Sequence, residues 1–473
     1  DDQLLSRDFF TSIRFHDGAR YLVPGSGCSL SKTPAKRDLL VPRKGSASEQ
    51  INSAERNLPK SDSLAKEGAS VRSAAGPLQG LRVLDMGWVW AGAIPGQILA
   101  DMGAEVIKVE SKKRIDYMRL GRPLIGTDPD VEQNPWFHAV NRNKKSIAVN
   151  LKSTAGLEIL KKLVGKCDAV IENFKPGFLA KIGMDYHSLS KINPSLVMLS
   201  MSGVGQTGPL SDIPAYAPFL SGLSGLDSLV GYPGEDILGI QQPYADTNAG
   251  VTGAFGLITA LLHTQRSGEG QHVDLAETEA AVSVLGEAFL HYSMTKTVME
   301  PQGNFRYGYV PCGHYPTKGE DAWIAIAVES EQQWASLCRV LGKPDLAVSS
   351  SFQNKEIRNQ NRGILDQTLS ELTSLRETDK LFHALQAEGI SAMPLLGPDE
   401  VMRDPHFVQR GTFIDIDHPV LGKEVIFGPM WRQTTSSIEN WAHAPLLGQH
   451  TFDVMTELLA MTKTEVDELI LAE

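Results

Sequence analysis

Residues 81–110 read "LRVLDMGWVWAGAIPGQILADMGAEVIKVE". The opening "LRVLD" is a short apolar run suited to a buried strand, and "EVIKVE" at the end is a second one. Between them, small residues carry a helix to Met102. Strand, helix and strand in about thirty residues make a βαβ unit. The same rhythm continues outward, with "DAVIENF" (168–174) and "LVMLSMSG" (196–203) as strands and "LEILKKLVG" (157–165) as a helix among them. Such alternation predicts an α/β fold, a Rossmann-like parallel sheet with helices on both faces and ligands at the carboxyl ends of its strands. Glycines 87, 92 and 96 follow the first strand, but they do not make G-x-G-x-x-G, so a dinucleotide fingerprint is not supported.

The chain has 473 residues, which calls for two or three domains. From about 300 to 395 a turn-rich segment leads to "DAWIAIAVES" and polar helical stretches, the texture of a smaller α+β domain. Residues 46–76 are rich in Ser, Ala, Glu and Lys and read as a linker. The expected domains are therefore 77–295, a large domain, 296–400, a small one, and 401–473, a segment returning to the large one. A net charge of -11 argues against a nucleic-acid backbone as partner. No run approaches the roughly 18 to 20 apolar residues of a membrane span. The start, "DDQLLSRDFF", is acidic and has no long apolar run, so no signal peptide is read there. Cys28, Cys167, Cys312 and Cys338 form no C-x-x-C pair, which weakens zinc and redox-motif readings and makes a reducing cytoplasm the default. Cys312 stands near His314 in "YVPCGHYP", but that spacing in a turn-rich segment does not establish a nucleophile and its base.

An internal repeat joins the two ends of the chain. At an offset of 403, "DDQLLSRDFFTSIRFH" (1–16) falls on "DPHFVQRGTFIDIDHP" (404–419), pairing Asp1 with Asp404, Arg7 with Arg410, Phe10 with Phe413 and Ile13 with Ile416. Pro42 and Gly45 fall on Pro445 and Gly448 in the same register. Residues 1–45 thus read as the tail of a preceding copy of the module, and the chain as the second half of a tandem protein.

"PYADTNAGVTGAFG" (243–256) places one acid, Asp246, ahead of a buried helix. A carboxylate among apolar neighbours costs free energy unless it is bonded or used. It could be a helix N-cap or a reactive group. The segments "LADMGAEVIKVE", "NRNKKSIAVNLKS", "VIENFKPG", "SGVGQTGP", "YADTNAG", "RSGEGQHVDLAETEAA", "RDPHFVQRG" and "APLLGQH" together resemble the class III CoA-transferases, over about 77 to 460. The resemblance implies that Asp246 is the nucleophile, and that family members form interlocked homodimers; a tandem chain would make the same pseudo-dimer within one polypeptide. A carboxylate of this kind can attack an acyl-CoA thioester, giving a mixed anhydride and then an enzyme thioester. Coenzyme A enters as a co-substrate, and no metal is called for. By resemblance Asn173 and Phe174 lie along the CoA, beside Val89 and Ala91, with Lys181, Lys152 and Lys112 as phosphate partners. Ser111 stands where the family often has an arginine, with Lys112, Lys113 and Arg114 behind it. Ala245, Gly250 and Gly253 leave room for the thioester or pack the helix. A racemising branch of the fold uses a histidine where this chain has Tyr216, a poor partner for α-proton exchange near neutrality.

The acceptor acid is read from Trp88 and Trp90. Alternation along an extended segment would put both on one side. With Tyr216 they could hold an onium cation, worth about 0.5 to 2 kcal/mol per contact. The tandem organisation likewise resembles the bacterial transferase/lyases that cleave dimethylsulfoniopropionate. The expectation is then CoA transfer from acetyl-CoA to dimethylsulfoniopropionate, release of dimethyl sulfide and formation of 3-hydroxypropionyl-CoA, with Tyr216 or Glu277 as guesses for the base. The alternatives are transfer to a carnitine-like or dicarboxylic acid, or a non-catalytic partner module.

Overall fold

The computed structural model describes residues 1–46, 76–120, 130–432 and 441–472. The linker expected at 46–76 lies outside them except for its two end residues. The chain divides into two compact units: Asp1–Asp227 with Gly239–Met299 and Thr412–Glu473, and Ser228–Leu238 with Glu300–Gly411.

The N-terminal segment gives β1 (Thr11–Arg14), β2 (Arg20–Val23), β3 (Cys28–Leu30) and β4 (Asp38–Leu40). The parallel strands follow: β5 (Arg82–Asp85), β6 (Glu105–Glu110), β7 (Lys145–Ala148), β8 (Ala169–Glu172), β9 (Val197–Ser202) and β10 (His272–Ala276). The main sheet has the order β3-β10-β9-β8-β5-β6-β7. Its pairings are parallel apart from β3, which runs antiparallel on the edge of β10.

Strands covered on both faces read as near-continuous apolar runs, and successive residues serve opposite faces. Val83, Val106, Ile171 and Val197 pack under helices Val89–Asp101 and Tyr244–Ser267. Their neighbours Leu84, Ile107, Val170 and Met198 pack instead with helices Thr154–Val164 and Thr451–Leu459. Helix Thr451–Leu459 is fastened by the β7 backbone: Ala148 N–H donates to Thr451 Oγ1 at 2.9 Å and His450 N–H to the Ser146 carbonyl at 2.8 Å. Helices Val89–Asp101 and Tyr244–Ser267 approach closely, because a Cβ on Gly250 would sit 2.6 Å from Ile94 Cβ. Gly250 and Gly253 are thus packing glycines, the latter against Leu199, Met201 and Pro95.

The repeat is also a repeat of geometry. Asp1 caps helix Asp2–Ser6 by accepting from the N–H groups of Gln3 and Leu4, and Asp404 caps helix Pro405–Arg410 by accepting from His406 and Phe407, at the same offset. Later in the chain come β11 (Cys312–Pro316), β12 (Trp323–Ala327), β13 (Ser391–Pro394), β14 (Phe413–His418) and β15 (Gly422–Phe427). In the hairpin β1–β2, Thr11 pairs with Val23 and Ile13 with Tyr21; in β14–β15, Ile414 pairs with Ile426 and Ile416 with Glu424. Adding 403 to each member of the first pairs gives the second. A one-residue slip would turn every side chain to the other face, so shared register is a stringent match. The N-terminal segment is held to the rest of the larger unit by Arg7, which donates to Glu279 Oε1 at 2.6 Å and to Asp274 Oδ2 at 2.8 Å.

The second unit has a three-stranded antiparallel sheet, β11-β12-β13, with its own core of Tyr315, Ile324, Trp334, Leu365 and Leu385. Burial pushes the Cys312 thiol up, away from a nucleophilic thiolate.

Candidate active site

A cleft of about 300 Å³ opens in the larger unit where β5, β8, β9 and β10 end. Trp88, Val89 and Ala91 reach it from the turn after β5, Asn173, Phe174 and Lys175 from the loop after β8, Ser202 from the tip of β9 and Glu277 from the residue after β10. Asp246 enters from helix Tyr244–Ser267, and Tyr216 and Arg114 close the rim.

The turn after β5 is clamped from both sides. Trp88 N–H donates to Asn173 Oδ1 at 2.8 Å, and Asn173 Nδ2 donates back to the Trp88 carbonyl at 2.9 Å. Below, Lys108 Nζ donates to the Gly87 carbonyl at 2.7 Å. The buried Asp85 accepts from Gly87 N–H and from Lys144 Nζ, both at 2.8 Å. Burial lowers Lys144 to about 8 although Asp85 opposes the shift. This network holds Val89 at φ 59°, a left-handed conformation that costs a β-branched residue about 1–3 kcal/mol. The side chain of Asn173 is thereby used in positioning Trp88.

Asp246 is the third residue of its helix, and the N-cap is Pro243, so the capping alternative is set aside. Its first-turn position places the carboxylate at the positive end of the helix dipole. Burial nevertheless raises it to about 6, its own backbone N–H opposing the rise. Glu277 is buried in the same cleft; burial first, and then the Asp246 charge, raise it to about 8. Burial thus favours the protonated form of both carboxyls, and the Asp246 charge adds to the effect on Glu277.

The structure brings together Asp246, Trp88, Val89, Ala91, Asn173, Phe174 and Tyr216. Four residues expected at the site do not line this cleft. The helix starts at Val89, so the period is not that of a strand, and Trp90 packs against the core while Trp88 faces the cleft. Lys152 lies exposed beyond β7, Lys181 is exposed at the end of helix Phe178–Lys181, and Lys112 is exposed beyond β6. Among the described residues the cations lining the cleft are Arg114, whose guanidinium lies 5.0 Å from the Trp88 ring centroid, and Lys175, 3.4 Å from Asp212. Lys175 and Ser202 escaped the sequence reading. Their signal was position alone, directly after Phe174 in "ENFKPG" and at the last residue of a strand.

A cleft at strand ends that holds two carboxyls, both shifted upward by burial, suits covalent acyl chemistry. Residues 78–451 match the CoA-transferase family III, and the chain belongs to that family. It is 32% identical over 398 residues to the succinyl-CoA–D-citramalate CoA-transferase of Chloroflexus aurantiacus, covering 82% of this chain and 96% of that protein. To the human succinyl-CoA:glutarate CoA-transferase it is 31% identical, over 84% and 89% of the two chains. It matches only 50% of the Mycobacterium tuberculosis protein named "Probable CoA-transferase Rv1866", at 32% identity over 83% of this chain. Among solved structures, a CAIB/BAIF family protein from Brucella suis is similar with a TM-score of 0.75 and 31% identity, covering 81% of this chain and all of that one.

Proposed function

We propose that the protein moves CoA from an acyl-CoA to a small carboxylic acid through a covalent intermediate on Asp246. The observation that carries this reading is the Asp246 carboxylate, raised to about 6 and open to a cleft at the strand ends of a family III CoA-transferase. An ionised Asp246 attacks the thioester carbonyl and the CoA sulfur leaves, giving a mixed anhydride. The sulfur then attacks the aspartyl carbonyl and releases the donor acid, leaving CoA on Asp246. The acceptor carboxylate repeats the two steps in reverse. Phe174 and Val89, with the turn that Asn173 fixes, would lie along the pantetheine and exclude water from the anhydride.

For the acceptor, a dicarboxylic acid is the reading best supported. Arg114 and Lys175 give the cleft two cations for a second carboxylate, and relatives act on citramalate and glutarate with succinyl-CoA. Trp88, Phe174 and Tyr216 favour a second reading, an onium acid such as dimethylsulfoniopropionate, with acetyl-CoA as donor and dimethyl sulfide released. Against it, Trp90 faces the core and Arg114 already occupies the neighbourhood of the Trp88 ring. Incubation with succinyl-CoA or acetyl-CoA, and separately with glutarate, malate, carnitine and dimethylsulfoniopropionate, separates the two. New dicarboxyl-CoA esters support the first; headspace dimethyl sulfide with no dicarboxyl-CoA ester would replace it with the second.

We also infer that residues 1–45 are the end of a preceding copy of the module. The repeated cap and hairpin register support this, as does a relative of which this chain spans half.

A further inference from the structure

We propose that Glu277 is the proton carrier of the transfer: it protonates the CoA sulfur as that sulfur leaves, and takes the proton back when the sulfur returns. This rests on the covalent role of Asp246 and deepens it. Glu277 is placed by the sheet. Strand β10 ends at Ala276, paired in register with Ser202, and the next residue turns into the cleft as helix Glu277–Ser283 begins. Asp246 faces the same space, and the Ser202 hydroxyl there has no hydrogen-bond partner among the described residues.

Two residues further on, Glu279 shows what a structural carboxylate looks like here, since Arg7 donates to it at 2.6 Å. Glu277 has no such cation among the described residues; burial and the Asp246 charge are what act on it. Helix Ala217–Ser224, packed against its helix, carries no titratable side chain, and Asp274 on β10 is bound to Arg7. Among the described residues the remaining titratable groups on the cleft are Arg114, Tyr117, Lys175 and Tyr216, none of them a carboxyl or an imidazole.

With Glu277 as proton carrier, the reacting groups together hold one negative charge at each step. The resting site holds the Asp246 carboxylate and the Glu277 acid. Asp246 Oδ bonds to the acyl carbon, the carbon–sulfur bond breaks with its electron pair going to sulfur, and the Glu277 proton moves to that sulfur. The products are a neutral anhydride on Asp246, a neutral thiol and the Glu277 carboxylate. Asp246 has lost its charge, so Glu277 ionises without a like charge beside it. In the next step Glu277 removes the thiol proton, sulfur bonds to the aspartyl carbon, and the donor acid leaves as a carboxylate. Burial still favours the protonated form of Glu277 once Asp246 is neutral, so the carboxyl can give its proton to the leaving sulfur and take it back from the thiol.

The test compares kcat and kcat/KM against pH for the wild type, Glu277→Gln, Glu277→Asp and Asp246→Ala, with succinyl-CoA and glutarate. The wild type is expected to show a bell, rising near pH 6 as Asp246 ionises and falling near pH 8 as Glu277 does. Glu277→Gln should keep the acid limb, lose the alkaline one and drop kcat about a hundredfold; Glu277→Asp should keep both limbs. A Glu277→Gln enzyme with a surviving alkaline limb, or with kcat within a few-fold of wild type, overturns the proposal. If Asp246→Ala is as active as the wild type, the covalent reading beneath it fails instead.

Discussion

Replacing Glu277 by glutamine should make the protein more stable, and by an amount that grows with pH. The glutamate titrates near 4.5 in an unfolded chain and near 8 in the fold. A carboxyl raised in this way contributes stability that is fully present below 4.5 and lost as pH climbs through 8. Between pH 4.5 and pH 7 the folded protein holds a proton that the unfolded chain has released. At about 1.4 kcal/mol per pH unit this removes about 3 kcal/mol of stability by pH 7, an upper figure. Glutamine keeps the size and the hydrogen-bonding capacity but has no proton to lose. Asp246 is present in both proteins, so subtracting their unfolding free energies leaves the Glu277 contribution together with its coupling to Asp246. Urea unfolding at pH 5, 7 and 8.5 should show a small difference at the lowest pH, a gain for Glu277→Gln of about 2–3 kcal/mol at pH 7, and a plateau above pH 8. A difference that stays flat with pH, or a wild type that gains on the variant as pH rises, would refute the reasoning.

Gly250→Ala forces a methyl group to within 2.6 Å of Ile94 Cβ, and the overpacked helix pair should lose about 1–3 kcal/mol, read as a lower urea midpoint. Arg7→Ala leaves Glu279 and Asp274 without their cation; about 3 kcal/mol or more of stabilisation should go, and limited proteolysis should release the first 46 residues earlier than in the wild type. Arg114→Ala removes a cation from the cleft rim and should raise KM for glutarate about tenfold, with a smaller effect on kcat; an unchanged KM would take Arg114 out of acceptor binding.

Much of the larger unit is legible in the sequence because its parallel strands are covered on both faces. "LVMLSMSG" is a near-continuous run, the pattern of a doubly covered strand, whereas "EVIKVE" carries Lys108 and Glu110, which the fold buries against the Gly87 carbonyl and Arg119. Strand β3 was not legible: Cys28–Leu30 is three residues long and pairs across more than two hundred positions with β10, which leaves no local trace. Trp90 shows the cost of a wrong period. Trp88 and Trp90 share a face only in a strand, and the left-handed Val89 between them starts a helix whose small residues were visible. Asp246 could be found from its apolar surroundings and its motif. Its partnership with Glu277 could not, since a separation of 31 positions becomes proximity only when helix Tyr244–Ser267 crosses the strand ends. The basic residues that line the cleft were hidden for a related reason: lysines 112, 152 and 181 are conspicuous in the chain, but the shape of the loops after β6 and β8 decides that Arg114 and Lys175 face the cleft.

The central claim is that Asp246 becomes covalently attached to CoA. The most direct test is to mix the protein with succinyl-CoA alone, quench in acid and map the peptide containing Pro243–Gly256 by mass spectrometry. A CoA adduct on Asp246, discharged by glutarate and missing from Asp246→Ala, is the predicted result. An unmodified Asp246 in protein that still exchanges CoA between acids would contradict the account.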